Sequence, residues 1–142
     1  IEDKQRIIYT SEIDPSKWQT IDAEAHEAID SDLGTAWHSD TLQALTIDLG
    51  EVVDIAGFCY APDTENMRGT IFRYNLYLSN DGKEWSQCSC NAEFSNIKNN
   101  PTPYFVHFGR SYSTRYLRLE PVEEIEGNNA TSIAELGIIL AR

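Results

Sequence analysis

The stretch LTIDLG, Leu45 to Gly50, alternates apolar and polar side chains and stops at a glycine. Such period-two alternation is typical of a β-strand with one buried face, and no amphipathic stretch of helical length competes with it along the chain. It recurs in Val53–Tyr60 (with a bulge at Gly57), Tyr74–Ser79, Cys88–Glu93, Tyr104–Phe108, Tyr116–Leu119 and Ile133–Leu140. An Asp-Gly tight turn follows the third strand, in Asn80–Lys83. Short strands separated by turns predict an all-β sandwich or jelly roll.

The length of 142 residues suits one domain, and such a chain can bury a core without disulfide staples. Ile1–Ser11 is interpreted as a linker or a first edge strand, and residues 12–142 as the sandwich domain. The chain shows no internal repeat and no low-complexity tract. It opens abruptly, so we expect it to be one piece of a longer protein.

The formal net charge is −12. Such a surface repels phosphate backbones and anionic lipid headgroups, so we expect neither nucleic acid nor an acidic membrane as a partner. Membrane binding would also need exposed apolar side chains ringed by basic residues, for which only Leu42 and Met67 are candidates. The charge suits divalent cations and neutral or cationic ligands, or it serves only to keep the domain soluble. We expect the isolated domain to be a monomer.

The three cysteines are interpreted as small buried or half-buried apolar residues. Cys88 and Cys90 lie two apart in a predicted strand, where their spacing is too wide for an easy mutual disulfide, and Cys59 lies in another strand. We therefore expect neither a metal nor a redox site from them.

The sequence offers no constellation for catalysis. It contains no Ser-His-Asp order, no metal-ligating histidine cluster and no phosphate-binding loop. His26, His38 and His107 are far apart in sequence. We therefore expect a domain without enzymatic activity.

Four stretches in this order and spacing resemble the discoidin, or coagulation factor 5/8 type C, domains. Within that superfamily, the closest likeness is to the bacterial family 32 carbohydrate-binding modules, and it extends from about Trp18 to the last strand. The stretches are residues 28–39 (AIDSDLGTAWHS), 45–50 (LTIDLG), 74–85 (YNLYLSNDGKEW), and 115–119 (RYLRL) joined to 134–136 (AEL).

The resemblance implies a jelly-roll β-sandwich of two antiparallel sheets, of the galactose-binding-domain-like type. In it, Trp37 would fill the core beneath an acidic turn, and Trp85 would attach the hairpin after the Asp-Gly turn to the sandwich.

The resemblance also implies a structural calcium ion between the early acidic loop and the closing AEL motif. Ca²⁺ takes six to eight oxygen ligands, and spaced oxygens on a tight loop suit it. Carried over residue by residue, side-chain ligands would come from Asp30, Thr35 and Glu135, and carbonyl ligands from near Glu27, Asp32, Thr35 and Ala134. Ser31 stands where the family often has Gly, and the alternative is a plain polar loop.

Sugar-binding relatives place an aromatic platform and a few hydrogen-bonding side chains at the loop end of the sandwich. His38 matches the histidine that follows the core tryptophan in galactose-binding members. The aromatics expected on two loops are missing, and Asp63 stands where many members have Arg. We therefore predict a different contact set, with Glu65 and Asn129 as lesser candidates and Tyr60 at the base of the loop. The predicted ligand contacts are His38, Asp63, Asn66, Arg68 and Asn128.

These observations predict a non-catalytic carbohydrate-binding module of a larger secreted, periplasmic or cell-surface bacterial glycoside hydrolase, such as a chitobiase (hexosaminidase), sialidase or fucosidase. Its ligand would be a glycan ending in galactose, N-acetylhexosamine or a similar sugar. The alternative is a structural or protein-contacting domain that has lost the sugar site and packs against the adjacent catalytic domain.

Overall fold

The computed structural model describes residues 18–21, 24–30 and 34–141. The predicted linker or edge strand over residues 1–11, and Asp32 of the predicted calcium loop, lie outside these ranges. The described elements are β1 (Gln19–Thr20), a 3-10 turn (His26–Ala28), β2 (Trp37–Ser39), β3 (Leu45–Ala61), β4 (Ile71–Ser79), β5 (Ser86–Glu93), β6 (Tyr104–Glu124), β7 (Thr131–Ile133) and β8 (Glu135–Leu140).

Two long strands, β3 and β6, take part in both layers of the fold. The first part of β3 pairs antiparallel with the second part of β6, in the hydrogen-bonded order β1–β3–β6–β4–β5. The second part of β3 pairs with the first part of β6 on one side and with β8 on the other, and β2 pairs with β7 in a small separate sheet. The predicted all-β jelly-roll sandwich of antiparallel sheets is therefore confirmed. Within the described ranges, no helix is long and apolar enough to cross a membrane.

Two pairs of predicted strands are each one continuous strand in the structure. The predicted strands that begin at Leu45 and Val53 are both part of β3, and those that begin at Tyr104 and Tyr116 are both part of β6. Gly50 at the end of the first stretch, and the largely polar residues 109–115 between the members of the second pair, suggested loops. The structure instead absorbs them as register shifts in the β3–β6 ladder, where the strands bend from one layer to the other.

The predicted last strand is interrupted, because β7 and β8 are separate strands on either side of Ala134. The backbone N–H of Ala134 donates to the carbonyl of Ala61 at 2.9 Å. The chain therefore leaves the small sheet at this residue and joins the edge of β3.

Gly57 lies at a bulge, as predicted, and a side chain there would collide with the neighbouring strand. The register shifts between Ile55 and Gly57 on both sides of β3. A Cβ at this position would lie 2.1 Å from the carbonyl oxygen of Val106. Close approach of β3 to β6 therefore requires glycine.

An aromatic stack fills the centre of the sandwich. The ring of Phe94, just beyond β5, is stacked between those of Tyr60 and Tyr74, with centroid distances of 4.8 and 4.3 Å. Phe58 meets Tyr74 edge-on at 5.6 Å. Such offset and edge contacts stabilise by about 0.5–1.5 kcal/mol each beyond the burial of area.

The tryptophans occupy the expected structural positions. Trp37 is 8% exposed and belongs to the core, and Trp18 is also buried. Trp85 contacts the Tyr116 ring edge-on at 6.3 Å, and the Arg118 guanidinium lies 4.1 Å from its centroid. Because both partners belong to β6, Trp85 attaches the β4–β5 hairpin to the sandwich.

The cysteine prediction is partly wrong. All three thiols are free; Cys59 is buried and Cys88 is half-buried, as expected, but Cys90 is exposed. Cys90 precedes Asn91, whose φ of 50° accompanies a register shift between β4 and β5. This bulge disturbs the alternation of side chains along the strand, so Cys88 and Cys90 do not share one environment.

Candidate functional site

Three loops meet at one end of the sandwich: residues 40–44, 62–70 and 125–130, together called the loop end. The side chain of Asn129 accepts a hydrogen bond from the backbone N–H of Leu42 at 2.8 Å. The hydroxyl of Thr131 accepts one from Gln43 N–H at 2.9 Å and donates to the carbonyl of Thr41. Cross-loop bonds of this kind hold the first loop against the third.

Glu124 joins the second loop to the third. Its carboxylate is 1% exposed and accepts hydrogen bonds from the backbone N–H groups of Gly69, Glu126 and Asn128, each at 2.8 Å. The Asn128 side-chain amide donates a fourth at 3.1 Å. Burial acts to raise the pKa of Glu124, but these donors together hold it below its ordinary value. The carboxylate is therefore ionised at neutral pH and crosslinks the two loops.

Tyr60 supports the loop end from below. It is fully buried, and its hydroxyl donates to the carbonyl of Ser132 at 2.7 Å and accepts from Ile71 N–H at 3.1 Å. Burial raises the pKa of this phenol well above its ordinary range, so the hydroxyl stays protonated. Tyr60 thus lies beneath the loop as a structural residue and is too deep to touch a ligand.

His38 and Asp63 form the polar pair at the centre of the predicted site. The Nε2 atom of His38 lies 2.8 Å from Oδ2 of Asp63, and their side chains are 42% and 14% exposed. The other oxygen of Asp63 accepts a hydrogen bond from Glu65 N–H at 3.0 Å, which fixes the carboxylate. Residues 25 positions apart in sequence therefore present one exposed imidazole oriented by one carboxylate.

Arg68 lies on the same loop as Asp63 and turns toward the first loop. Its guanidinium is 3.6 Å from the carboxylate of Asp40, and both side chains are largely exposed. An exposed pair of this kind contributes little to stability. Its donors therefore stay available to a ligand.

The two predicted asparagines hold the loops together. The side-chain oxygen of Asn66 accepts a hydrogen bond from Arg68 N–H at 3.3 Å, which shapes the second loop. Asn128 donates its side-chain amide to Glu124. The structure therefore places Asp63, Asn66, Arg68 and Asn128 on the loop end and His38 on the adjoining strand β2. The side chains best placed to meet a ligand are those of His38, Asp63 and Arg68.

Glu124 is a site residue that the sequence did not single out. It stands in a run of acidic residues, Glu123, Glu124 and Glu126, and nothing local separates it from its neighbours. The nearby Asn128-Asn129 pair indicated a turn, but not which carboxylate the turn would surround.

The segments of the predicted calcium loop lie close to the last strand. The 3-10 turn that contains Glu27 packs against β2 and β8. The hydroxyl of Thr35 donates to the carboxylate of Asp30. Glu135 is 1% exposed and pairs with Ala61 across the β3–β8 ladder. Within residues 18–21, 24–30 and 34–141, no group of three or more His, Cys, Asp or Glu side chains is arranged to hold a metal ion.

The chain is a β-sandwich that presents polar side chains on the loops at one end. The chain belongs to the F5/8 type C domain family, whose model matches residues 7–136. Among curated proteins it is 28% identical to a galactose oxidase of Gibberella zeae over an alignment 135 residues long, which covers 83% of this chain and 18% of that protein. It is 23% identical to a sialidase of Micromonospora viridifaciens over 136 residues, covering 90% of this chain and 20% of the sialidase. The chain thus spans about a fifth of the length of these relatives.

Solved structures share the fold over nearly the whole chain. The family 32 carbohydrate-binding module of NanJ from Clostridium perfringens, in complex with galactose, aligns with a TM-score of 0.74 at 21% identity and covers 89% of this chain and 96% of that one. CpGH89CBM32-5 from the same organism, in complex with GalNAc-β-1,3-galactose, gives a TM-score of 0.73 at 22% identity, covering 88% and 96%. The C-terminal domain of a Bacteroides fragilis chitobiase gives 0.72 at 20%, covering 89% and 95%. These solved structures share the fold of this chain, and the absence of enzymatic activity stays an expectation.

Proposed function

We propose that this chain is a sugar-binding module of a larger bacterial glycoside hydrolase that works outside the cell, and that it binds a neutral terminal sugar such as galactose or an N-acetylhexosamine. The observation that carries the proposal is the His38–Asp63 pair beside Arg68 at the loop end. An imidazole, a carboxylate and a guanidinium offer both donors and acceptors to sugar hydroxyls. The sugars in complex with the NanJ module and CpGH89CBM32-5 support this ligand class.

Weak binding is the expected behaviour of this site. The three loops contain no Trp, Tyr or Phe, so the large apolar side chains that could meet the ring face of a sugar are Leu42, which is 37% exposed, and the half-buried Met67 and Ile125. Affinity then rests on hydrogen bonds, and a dissociation constant of about 1 mM is expected for a monosaccharide. On a polymer, a weak module still raises the effective concentration of an attached enzyme.

The test is a calorimetric titration with galactose, N-acetylglucosamine, fucose and GalNAc-β-1,3-galactose. Because His38→Ala removes one polar contact and frees Asp63, we expect affinity to fall about tenfold or more. His107→Ala is the matched control, since His107 is exposed on β6 away from the three loops. No binding of any of these sugars by the folded wild-type chain would reject the proposal.

A second candidate function is supported by the same lack of aromatic side chains on the three loops. In that case the loop end would contact an adjacent catalytic domain instead of a sugar. Flat sugar titrations combined with a fixed orientation of the module in the full-length parent would favour this function. Free motion of the module in the parent would reject it.

We propose in addition a structural calcium ion held by Asp30, Thr35 and Glu135, with carbonyl oxygens near Glu27, Asp32, Thr35 and Ala134. Two features of the described residues support this proposal. Glu135 is a carboxylate buried at the start of β8, and the turn preceding Asp30 packs against that strand. The ion would tie the early loop to the end of the chain and would take no part in chemistry.

Thermal unfolding with excess CaCl₂ or with EDTA tests the ion. At a calcium concentration 100 times the dissociation constant, the stabilisation is about 2.7 kcal/mol. Asp30→Asn and Glu135→Gln should abolish the difference between the two conditions. Glu27→Gln should keep it, because only the backbone carbonyl near that residue is assigned a role. A wild-type melting curve that is identical in EDTA and calcium would refute the ion.

A further inference from the structure

A groove lies at the end of the sandwich opposite the loop end. It has a volume of about 390 Å³ and is lined by the β4–β5 hairpin and the middle of β6. Strand β4 begins at Ile71, beside the loop end, and finishes at Ser79 in the groove. At about 3.3 Å per residue the two places are roughly 25 Å apart along this strand. The hairpin groove, as we call it, is therefore separate from the His38 site.

Two aromatic rings line the hairpin groove, and both are held in place by other side chains. Trp85 is flanked by Arg118 and Tyr116. Tyr112 has the Arg110 guanidinium 4.8 Å from its ring centroid and the Phe108 ring edge-on at 5.5 Å. Rings that are fixed before a ligand arrives lose little conformational entropy on binding. Each guanidinium covers one face of its ring, and the ring surface that remains toward the groove is where the C–H face of a pyranose would pack.

The rest of the lining is polar and rich in hydrogen-bonding groups. The carboxylate of Asp81 is fixed by bonds from the hydroxyl of Ser79 at 3.1 Å and from the backbone N–H groups of Lys83 and Glu84 at 2.9 and 3.0 Å. These backbone donors, with the serine hydroxyl, lower the pKa of Asp81, so it is ionised at neutral pH. The exposed Glu84 and Gln87 complete this wall.

We propose that the hairpin groove is a second binding site and that it takes a neutral saccharide, a hexose or N-acetylhexosamine unit. Sugar hydroxyls are donors, so they pair with the carboxylates of Asp81 and Glu84 while the ring lies against Trp85 and Tyr112. The same two carboxylates disfavour uronic acids and other anionic sugars, because they face the ligand at the groove wall while the guanidinium groups of Arg110 and Arg118 are already stacked on the two rings. Leu78 is the single aliphatic residue of the lining, which favours a polyhydroxylated ligand over an apolar one. With sites at both ends, the module would bridge two points of one glycan or two glycan chains.

The test is an NMR titration of the ¹⁵N-labelled chain with N,N′-diacetylchitobiose, with galactose and, separately, with galacturonic acid. The neutral sugars should shift the Trp85 indole N–H and the amides of Gln87 and Ser113 with a dissociation constant of about 1 mM. His38→Ala should leave these shifts unchanged while removing those at the loop end. Shifts confined to the loop end, or shifts of the groove amides by galacturonic acid alone, would overturn the inference. Neither outcome would contradict the proposed function, because that function rests on the loop end and not on the groove.

Two variants measure the contribution of the groove itself. Tyr112→Ala should weaken binding at the groove about tenfold, whereas Tyr112→Phe should keep it within about threefold, because the ring surface remains. Glu84→Gln changes an exposed side chain without disturbing the core. It should weaken the binding of neutral sugars at the groove a few-fold, and it should make the binding of galacturonic acid there less unfavourable. Unchanged affinities in both Tyr112→Ala and Glu84→Gln would overturn the assignment even if sugar shifts are seen.

The reactivity of the Cys88 thiol provides an independent test of binding that leaves the side chains of the groove unchanged. This half-buried thiol lines the groove beside Tyr112, and burial raises its pKa. The variant Cys90→Ser removes the exposed cysteine and leaves Cys88 and the buried Cys59, so alkylation reports on Cys88. Saturating N,N′-diacetylchitobiose should slow alkylation of Cys88 by iodoacetamide at alkaline pH at least fivefold, and an unchanged rate would contradict the proposal.

Discussion

Replacing Glu124 by Gln should loosen the loop end more than any change within the loops themselves. The carboxylate accepts four hydrogen bonds, two at each oxygen, from Gly69, Glu126 and Asn128. Glutamine keeps one oxygen and replaces the other with an amide nitrogen that faces donors. Two bonds to a charged acceptor are then lost, at about 1.5–3 kcal/mol each, so we expect a total loss of about 3–6 kcal/mol. That is a large share of the net stability of about 5–15 kcal/mol typical of a domain.

The assay is urea unfolding at pH 7 combined with hydrogen exchange. Glu124→Gln should lower the unfolding midpoint with little change in slope and should remove the protection of the Gly69 and Asn128 amides. Glu123→Gln is the matched control. Its side chain is 50% exposed and pairs with Arg73 at the surface at 3.2 Å, so the variant should lose at most about 1 kcal/mol. Equal midpoints for the two variants would refute the assignment of Glu124 as the crosslink between loops.

Three further changes test the framework below the site. Tyr60→Phe should lower the free energy of unfolding in urea by about 1–3 kcal/mol, because the buried carbonyl of Ser132 and the N–H of Ile71 lose the hydroxyl as their partner. A loss below about 0.5 kcal/mol, the size of an ordinary surface substitution, would contradict this role. Gly57→Ala should cost about 3 kcal/mol or more, since its Cβ would overlap the Val106 carbonyl, and wild-type stability would show that the strands are not so close. The pKa of Asp48 is lowered because Arg115 donates hydrogen bonds to its carboxylate. The contribution of Asp48 to the free energy of unfolding is therefore complete above its pKa in the unfolded chain, about 3.8, and is lost as the pH falls through its lower pKa in the folded chain. Asp48→Asn should flatten that acid limb of a stability-against-pH curve, and an unchanged limb would exclude the pair as its source.

The strands were predictable because their signals are local. Alternation in Leu45–Gly50, the Asp-Gly turn with Gly82 at a φ of 75°, and the glycine bulge at Gly57 are all visible in a short window of sequence. The continuity of β3 was not predictable in the same way. Gly50, where the first alternating stretch stops, looks like the end of a strand until β6 is present to pair with β3 on both sides of it.

The site was predictable as a location more than as a set of contacts. His38 and Asp63 were named from their positions in a family pattern, and the structure brings them to 2.8 Å. Asn128 was named from its place in a polar loop, yet its amide is directed to Glu124. A short polar side chain in a loop can hydrogen-bond either a ligand or the protein itself. For Asn128 the choice is decided by the buried carboxylate of Glu124, which the sequence does not place beside it.

The buried polar layer explains how this end of the sandwich can tolerate unusual loops. Glu124 fixes the second and third loops through backbone N–H groups and the side-chain amide of Asn128. Tyr60 fixes Ile71 and Ser132, the strand residues beside these loops, through their backbone groups. Side chains at the tips, such as His38 and Arg68, can therefore change without loss of loop geometry, because they contribute little to the bonds that hold it. A ligand site built in this way can lose its aromatic platform and still present a fixed polar cluster, and its specificity is then determined by which exposed donors and acceptors remain.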